Sequence, residues 1–205
     1  WVYAPESEMS AVGHAISLNR PLRVHEVRDR YFHIDGTPAD CVLLAIRELL
    51  PRRPHLVMSG INTGPNLGDD VTYSGTVAGA YEGMLQGIPS IAISNGSYAA
   101  TRYDQIAEIG AKIGKHVLDH GLPEHTMLNV NVPELPPEEI KGYAITRQGI
   151  RKYGDDIHRR EDPRGRAYYW IGGFRPEQEA HPGTDFEAIS QDKVSITPLQ
   201  RDYTN

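Results

Sequence analysis

Short apolar runs bounded by turn residues alternate with longer helical segments along most of this chain, which is typical of βαβ units. The run Ser-Ile-Ala-Ile-Ser at 90–94 suits a parallel strand that is buried on both faces. The pattern predicts strands at Trp1–Ala4, His55–Met58, Ser90–Ser94 and Met127–Val132, and helices at Pro38–Leu50, Thr76–Gln86 and Tyr103–His120. Between Ala15 and Ile34 we expect the short strands of a meander or hairpin, with Ile16 and Leu18 among their apolar positions. The predicted fold class is α/β.

Turn and capping residues support two of these helix boundaries. Thr37 suits an N-cap, and Pro38 suits the first helical position. The helix that starts near Thr76 is expected to stop at Gly87, with Pro89 beyond it.

The composition of the sequence changes near Gly149. Beyond it, arginines, acids, glycines and prolines mix with short β-like pieces at Ala167–Ile171 and Val194–Thr197. We therefore predict two parts: a domain over residues 1–148, and an extension over 149–205 of hairpins and loops without a helical layer. The extension would serve oligomerisation and return one strand to the core.

Composition excludes several classes of partner. The chain has 205 residues, of which 39% are hydrophobic, so one domain with an extension can form a sizeable core. The net charge of −6 lacks the basic excess of a protein that binds nucleic acid polymers. The single cysteine, Cys41, excludes an internal disulfide framework and fits a reducing compartment. Without a signal peptide or a membrane-length apolar run, the chain is expected to be cytoplasmic, with no membrane partner.

The stretch from Ser59 to Thr76 carries the candidate chemistry. It holds four glycines, two asparagines, the pair Asp69-Asp70 and a final Ser-Gly-Thr between a predicted strand and a predicted helix. Such a loop can be merely a set of turns with a helix cap, but 18 residues is unusual inside a compact domain unless the loop binds something. A helix start with two hydroxyls and free N–H groups suits a phosphate. The chain has neither a Walker A lysine nor a GxGxxG fingerprint.

The run Ser-Gly-Ile-Asn-Thr-Gly-Pro-Asn-Leu-Gly-Asp-Asp-Val-Thr-Tyr-Ser-Gly-Thr-Val-Ala-Gly-Ala-Tyr-Glu-Gly at 59–83 closely resembles the signature of the SurE (survival protein E) family of 5'-nucleotidases. Other matching pieces include 10–17, 36–41, 88–94, 128–133, 162–165, 183–185 and 194–198. The resemblance implies a Rossmann-like three-layer sandwich with a mostly parallel sheet and a C-terminal β-hairpin extension. It also implies a phosphatase acting on nucleoside 5'-monophosphates, with 3'-nucleotides and polyphosphate as further candidate substrates. A homodimer or homotetramer is expected.

The resemblance implies a role for individual residues as well. Ser10 and Asn62 match family ligands of Mg²⁺ or Mn²⁺, whereas the family's aspartate pair would precede Trp1. Two neutral ligands alone are expected to hold a hard cation poorly. Catalysis is assigned to Asn62, Asn66 and Asp70, and Asp70 rather than Asp69 matches a recurrent family position. Phosphate binding is assigned to the residues Asn66, Ser74, Gly75 and Thr76.

Other features favour ordinary structural roles. His116 and His120 have a zinc-like spacing on a helix, but no third ligand is evident. The basic residues from Arg151 to Arg166 alternate with acids and indicate a solvated loop, with contact of one or two arginines to the substrate as the alternative. Tyr168–Trp170 suits packing or a subunit interface, and Cys41 suits a buried position rather than a nucleophile.

Two other functions are alternatives to the enzyme. The first is a nucleotide- or phosphate-binding protein on the same scaffold without catalysis. The second, a dinucleotide-dependent oxidoreductase, suits the fold class but lacks the glycine fingerprint.

Overall fold

The computed structural model describes residues 1–99, 101–152, 157–171, 177–178, 180–202 and 204. Its strands are β1 (Val2–Pro5), β2 (Val24–Arg28), β3 (Tyr31–Ile34), β4 (Val57–Asn62), β5 (Ser90–Asn95), β6 (Thr126–Val132), β7 (Tyr143–Ile145), β8 (Arg151–Lys152), β9 (Ile157–Glu161), β10 (Ala167–Ile171), β11 (Glu177–Gln178) and β12 (Val194–Gln200). Its α-helices are α1 (Pro38–Leu44), α2 (Gly75–Leu85), α3 (Tyr103–His120) and α4 (Asp185–Ser190). None of the helices in this part of the chain combines the length and apolar composition needed to cross a bilayer.

The main sheet is mostly parallel at its centre, which confirms the predicted fold class. Its order in the described chain is β4-β5-β6-β12-β7, and β4, β5 and β6 run parallel. Strand β12 is antiparallel to β6 and parallel to β7. The extension thus returns a strand to the core sheet, while the division at residue 148 stays a prediction.

Alternate residues of β5 face two different helices. Ile91 and Ile93 pack in one cluster with Ile106 and Ile113 of α3. Ala92, on the opposite face, packs with residues of α2 in a second cluster (Val77, Ala80 and Met84). Because side chains of a strand alternate between faces, this division produces three layers with the sheet in the middle.

Helix α1 begins where its sequence signals indicate. Thr37 Oγ1 accepts a hydrogen bond from Asp40 N at 3.1 Å, and Asp40 Oδ2 accepts one from Thr37 N at 2.9 Å. This reciprocal capping box satisfies two backbone donors at the helix start. The predicted helix to Leu50 was wrong in one respect: α1 ends at Leu44 and a π-helical turn follows over Ala45–Leu49.

A second sheet of the described chain has the order β1-β3-β2. Strand β1 is parallel to β3, and β2 is antiparallel to β3. The predicted short strands between Ala15 and Ile34 therefore exist only from Val24 onward. Ile16 and Leu18 lie outside them, and Leu18 is 85% exposed, so these residues mark a loop rather than a strand face.

The extension contains a hairpin, in which β9 and β10 pair antiparallel. It also contains α4, a helix that the sequence pattern did not predict. Thr184 caps it by accepting a hydrogen bond from Glu187 N. The helix spans six residues, which is too short for a helical period to appear in the sequence.

Candidate functional site

The candidate loop joins the carboxyl end of β4 to the start of α2 and is shorter than predicted. Strand β4 continues to Asn62, its pairing with β5 shifts register between Ser59 and Asn62, and a 3₁₀ turn occupies Gly68–Thr72. Helix α2 then begins at Gly75. In parallel α/β sheets ligands bind at this edge, outside the carboxyl ends of the strands.

The end of the loop is a capped helix N-terminus. Ser74 Oγ accepts a hydrogen bond from Val77 N at 3.1 Å. The first turn of α2, Gly75 to Ala78, carries no acidic residue. Among the described residues, no group accepts a hydrogen bond from the N–H groups of Gly75 and Thr76, so these donors and the positive end of the helix dipole remain for a ligand.

Gly75 is required by close packing as well. A Cβ at this position would lie 3.2 Å from both the carbonyl oxygen of Met9 and Cγ2 of Val12. The segment that contains Ser10 therefore lies against the first turn of α2. Ser10 itself is exposed, and its hydroxyl donates to Glu8 Oε1 at 2.9 Å.

Asn62 and Thr76 are brought together across the loop. Thr76 Oγ1 donates to Asn62 Oδ1 at 3.3 Å, and Asn62 Nδ2 donates to the carbonyl of Gly64 at 2.9 Å. The amide therefore presents its oxygen toward the start of α2. This places one predicted metal ligand next to one predicted phosphate residue.

Asn66 is anchored in the interior by its backbone. Its N–H donates to Asn131 Oδ1 at 2.8 Å, and its carbonyl accepts from Asn129 Nδ2 at 2.8 Å and Asn131 Nδ2 at 3.1 Å. Its side-chain Nδ2 donates to Ser94 Oγ at 2.7 Å. The phosphate and catalytic roles of Asn66 stay predictions, since these bonds describe how the residue is held.

The sequence pattern predicted no role for Ser94, Asn129 or Asn131. All are fully buried and lie on β5 and β6. The signal was present as two asparagines at a spacing of two in an otherwise apolar buried strand, Leu-Asn-Val-Asn-Val. A buried amide needs partners. Both polar atoms of the Asn131 amide and the Nδ2 of Asn129 bond to the backbone of Asn66 in the candidate loop, whereas Asn129 Oδ1 has no hydrogen-bond partner among the described residues.

Asp70 forms an ion pair with Arg151. The backbone N–H of Arg151 also donates to Asp69 Oδ2 at 2.9 Å. The prediction of a solvated basic segment was wrong for Arg151, which is buried, although Arg159, Arg160, Arg164 and Arg166 are exposed. Residues 153–156 of this segment lie outside the described residues. An arginine from the extension thus holds the 3₁₀ turn of the loop.

Asp185 provides a second connection between the extension and the loop. Its Oδ2 accepts from Gly68 N at 2.8 Å, and its Oδ1 accepts from Gly149 N and Phe186 N, each at 2.9 Å. Burial raises the pKa of the Asp185 carboxyl above its usual range, against the opposing effect of these hydrogen bonds. The residue carries no sign of a catalytic role and instead fixes the loop.

The donor atoms of this chain fit a hard divalent cation in kind but not in charge. Ser10 and Asn62 offer neutral oxygens, which Mg²⁺ and Mn²⁺ accept only alongside carboxylates or phosphate. No group of three or more His, Cys, Asp and Glu side chains is placed to hold a metal ion within the described part of the chain.

The histidine pair and the cysteine that were considered as a zinc site and as a nucleophile have structural roles. The rings of His116 and His120 stack with their centroids 4.2 Å apart, and His120 Nδ1 contacts the carbonyl of His116 at 2.9 Å. Cys41 is buried, and desolvation with the nearby Asp40 charge raises the pKa of its thiol to about 12. A thiol with that pKa stays protonated and is not a nucleophile at neutral pH.

The chain matches a known protein family over most of its length. The family model of survival protein SurE matches residues 1–155. The chain is similar to a 5'-nucleotidase SurE of Pelobacter propionicus, with 53% identity over 205 residues that cover 100% of this chain and 83% of that protein. A 5'-nucleotidase SurE of Geobacter sulfurreducens is 53% identical over 207 residues, covering 100% and 78%. The crystal structure of a SurE protein from Aquifex aeolicus superposes with a TM-score of 0.87 at 46% identity, covering 100% of this chain and 83% of that one.

Proposed function

This chain belongs to the SurE family, and we propose that it is a phosphatase that hydrolyses nucleoside 5'-monophosphates to nucleoside and phosphate. The observation that carries the proposal is the contact between Asn62 and Thr76 at the capped N-terminus of α2. It joins a neutral oxygen ligand to a helix end that suits a phosphate. Relatives with about half of their residues identical are named as 5'-nucleotidases.

The residues of the loop have distinct tasks in this proposal. The N–H groups of Gly75 and Thr76 would donate to the phosphate oxygens, where negative charge develops during transfer. Ser74 keeps the helix start in shape through its bond to Val77 N. Asn66 lines the loop from a backbone that is fixed by β6. Because Asp70 already pairs with Arg151, we assign it to positioning of the loop as well as to the predicted catalytic set.

The cofactor that we propose is Mg²⁺ or Mn²⁺, which polarises a phosphate oxygen when it is bound. Ser10 and Asn62 would supply two neutral oxygens to that ion. Ser10 donates a hydrogen bond to Glu8, and Asn62 accepts one from Thr76, so both side chains have a partner that orients them. Negative charge would have to come from other ligands, the substrate phosphate among them.

The 3'-nucleotides and polyphosphate are additional candidate substrates. The cytoplasm is the proposed location, and neither nucleic acid polymers nor membranes are proposed as partners. The extension would form a homodimer or homotetramer. Its hairpin exposes large apolar side chains, including Tyr169, Trp170 and Ile171, which suit burial against a second copy.

Phosphate release tests the reaction directly. The purified protein is incubated with 5'- and 3'-nucleoside monophosphates and with polyphosphate, each in Mg²⁺, Mn²⁺ or EDTA. We expect the fastest release from 5'-monophosphates, supported by one of the metals and abolished by EDTA. Full activity in EDTA would contradict the metal requirement, and release from none of these substrates would contradict the phosphatase.

A catalytically silent phosphate-binding protein is the second candidate. It is favoured by one observation, namely that the predicted metal ligands on the described residues are both neutral. Calorimetric titration with a nucleoside 5'-monophosphate distinguishes the two candidates. Binding without any phosphate release, in Mg²⁺ or Mn²⁺, would support the silent protein.

A further inference from the structure

One aromatic side chain stands at the rim of the candidate loop with most of its surface open. Tyr98 is 69% exposed, yet its ring lies directly against the backbone of Gly64, because a Cβ at Gly64 would overlap the ring. The carbonyl of Gly64 accepts the hydrogen bond from Asn62. Gly64, which the ring contacts, is two positions from the predicted metal ligand Asn62.

The segment that carries Tyr98 is held at both ends. On its near side, Asn95 Oδ1 accepts from Ser97 N at 2.8 Å. On its far side, Glu134 Oε1 accepts from Thr101 N at 2.8 Å and Arg102 N at 3.0 Å. Glu134 also accepts from the Asn95 side chain, so one carboxylate ties the two ends together. An exposed tyrosine on a loop fixed in this way is already oriented before any ligand arrives.

A second tyrosine fixes the loop beneath Tyr98. The hydroxyls of Tyr103, at the start of α3, and Thr63 form a hydrogen bond. Thr63 lies between Asn62 and Gly64, so the backbone under the Tyr98 ring is held from two sides. Packing alone does not explain the position of Tyr98, because a tyrosine residue that is 69% exposed buries little apolar surface.

We propose that Tyr98 is the aromatic platform on which the nucleobase of the substrate stacks. The inference rests on the proposed function, and it adds a base-binding subsite to the phosphate-binding loop. A nucleotide joins a charged phosphate to a flat aromatic base, and an exposed tyrosine next to a phosphate loop matches both halves. Every base has a π-face, so the subsite would favour nucleotides over other phosphate esters without selecting one base.

The test compares two ligands that share a phosphate and a ribose. AMP carries a base, whereas ribose 5-phosphate does not. Their dissociation constants are measured by calorimetric titration in EDTA, for the wild type and for Tyr98→Ala, Tyr98→Phe and Tyr98→Trp. Tyr143→Ala serves as the matched control, because Tyr143 is 53% exposed on β7 at the opposite edge of the sheet.

We expect Tyr98→Ala to weaken AMP binding by about 5- to 150-fold, the range of one lost base stack, and to leave ribose 5-phosphate unchanged. The Phe and Trp variants should keep the wild-type affinity for AMP, as should Tyr143→Ala. Equal affinity of the wild type for the two ligands, no binding of AMP, or an equal loss for both in Tyr98→Ala would each overturn the inference.

Phosphate release from the same ligands in Mg²⁺ or Mn²⁺ separates this inference from the proposed function. If base-dependent binding depends on Tyr98 but no phosphate is released, the subsite stands and the phosphatase fails. If both ligands are hydrolysed with the same KM in the wild type and in Tyr98→Ala, the phosphatase stands and the subsite fails.

Discussion

Two asparagines of β6 offer a matched test of how the candidate loop is held. Asn129 and Asn131 are both 0% exposed, lie on the same face of one strand, and bond to the backbone of Asn66. Replacement of either by alanine removes the same atoms from the interior. The two variants differ in which hydrogen bonds of the Asn66 backbone they remove.

The Asn131→Ala variant leaves the buried N–H of Asn66 without its acceptor, Asn131 Oδ1 at 2.8 Å. An unpaired buried donor costs about 1–3 kcal/mol. The Asn129→Ala variant removes one donor to the Asn66 carbonyl, but Asn131 Nδ2 still donates to that carbonyl from 3.1 Å. The lost bond then costs about 0.5–1.5 kcal/mol. Since the cavity terms are alike, we expect Asn131→Ala to be less stable than Asn129→Ala by about 0.5–1.5 kcal/mol, the difference between these two costs.

Urea unfolding of the two variants measures this difference in the free energy of unfolding. Thermal unfolding gives an independent reading, in which about 1 kcal/mol corresponds to about 2–4 °C for a chain of this size. Phosphatase activity should fall further in Asn131→Ala than in Asn129→Ala, because the Asn66 N–H loses the hydrogen bond that fixes its position. Equal stability of the two variants, or lower stability of Asn129→Ala, would refute the reasoning.

Three further predictions concern contacts of the candidate loop and of the segment that carries Tyr98. Arg151→Met removes the ion pair that Arg151 forms with Asp70 and should cost about 3 kcal/mol in urea unfolding; adding Asp70→Asn should recover part of that loss, and a further loss instead would contradict the pairing. Ser74→Ala removes the N-cap of α2 and should cost about 1 kcal/mol, with a loss of phosphatase activity; unchanged activity would exclude the helix start from the site. Burial raises the pKa of Glu134, but hydrogen bonds from Thr101, Asn95 and Arg102 outweigh it and lower that pKa below its ordinary 4.5. The stabilising effect of the Glu134 carboxylate is therefore complete above pH 4.5 and is lost as the pH falls through the lowered pKa. The Tm of the wild type should exceed that of Glu134→Gln above pH 4.5, and this difference should shrink at lower pH. A difference that stays constant down to about pH 2 would contradict the assignment.

Local signals in the sequence predicted much of the fold. The capping pattern at Thr37 marked the start of α1, and the apolar run at Ser90–Ser94 marked a strand buried on both faces. These features depend on residues within a few positions of one another. The end of β4 was missed, because its continuation to Asn62 depends on pairing with β5 rather than on its own polar and glycine-rich sequence.

The candidate site was harder to predict from the sequence, because the residues that hold its loop are distant from it in sequence. Asp185 bonds to Gly68 across 117 positions, and Arg151 bonds to Asp69 across 82. No periodicity or local spacing links such pairs. The residues at the loop itself, Asn62 and Ser74 to Thr76, could be singled out by composition and resemblance, whereas the buried groups that hold them needed the fold.

The rate of phosphate release from AMP by wild type and Asn62→Ala, in saturating Mg²⁺ or Mn²⁺, tests the central claim most directly. Asn62 offers its amide oxygen beside Thr76 at the start of α2, so its loss should lower kcat/KM by about 100-fold or more. The variant also loses a bond to Gly64, and its thermal unfolding is measured alongside to confirm that it is folded. A folded Asn62→Ala protein with the activity of the wild type would contradict the account.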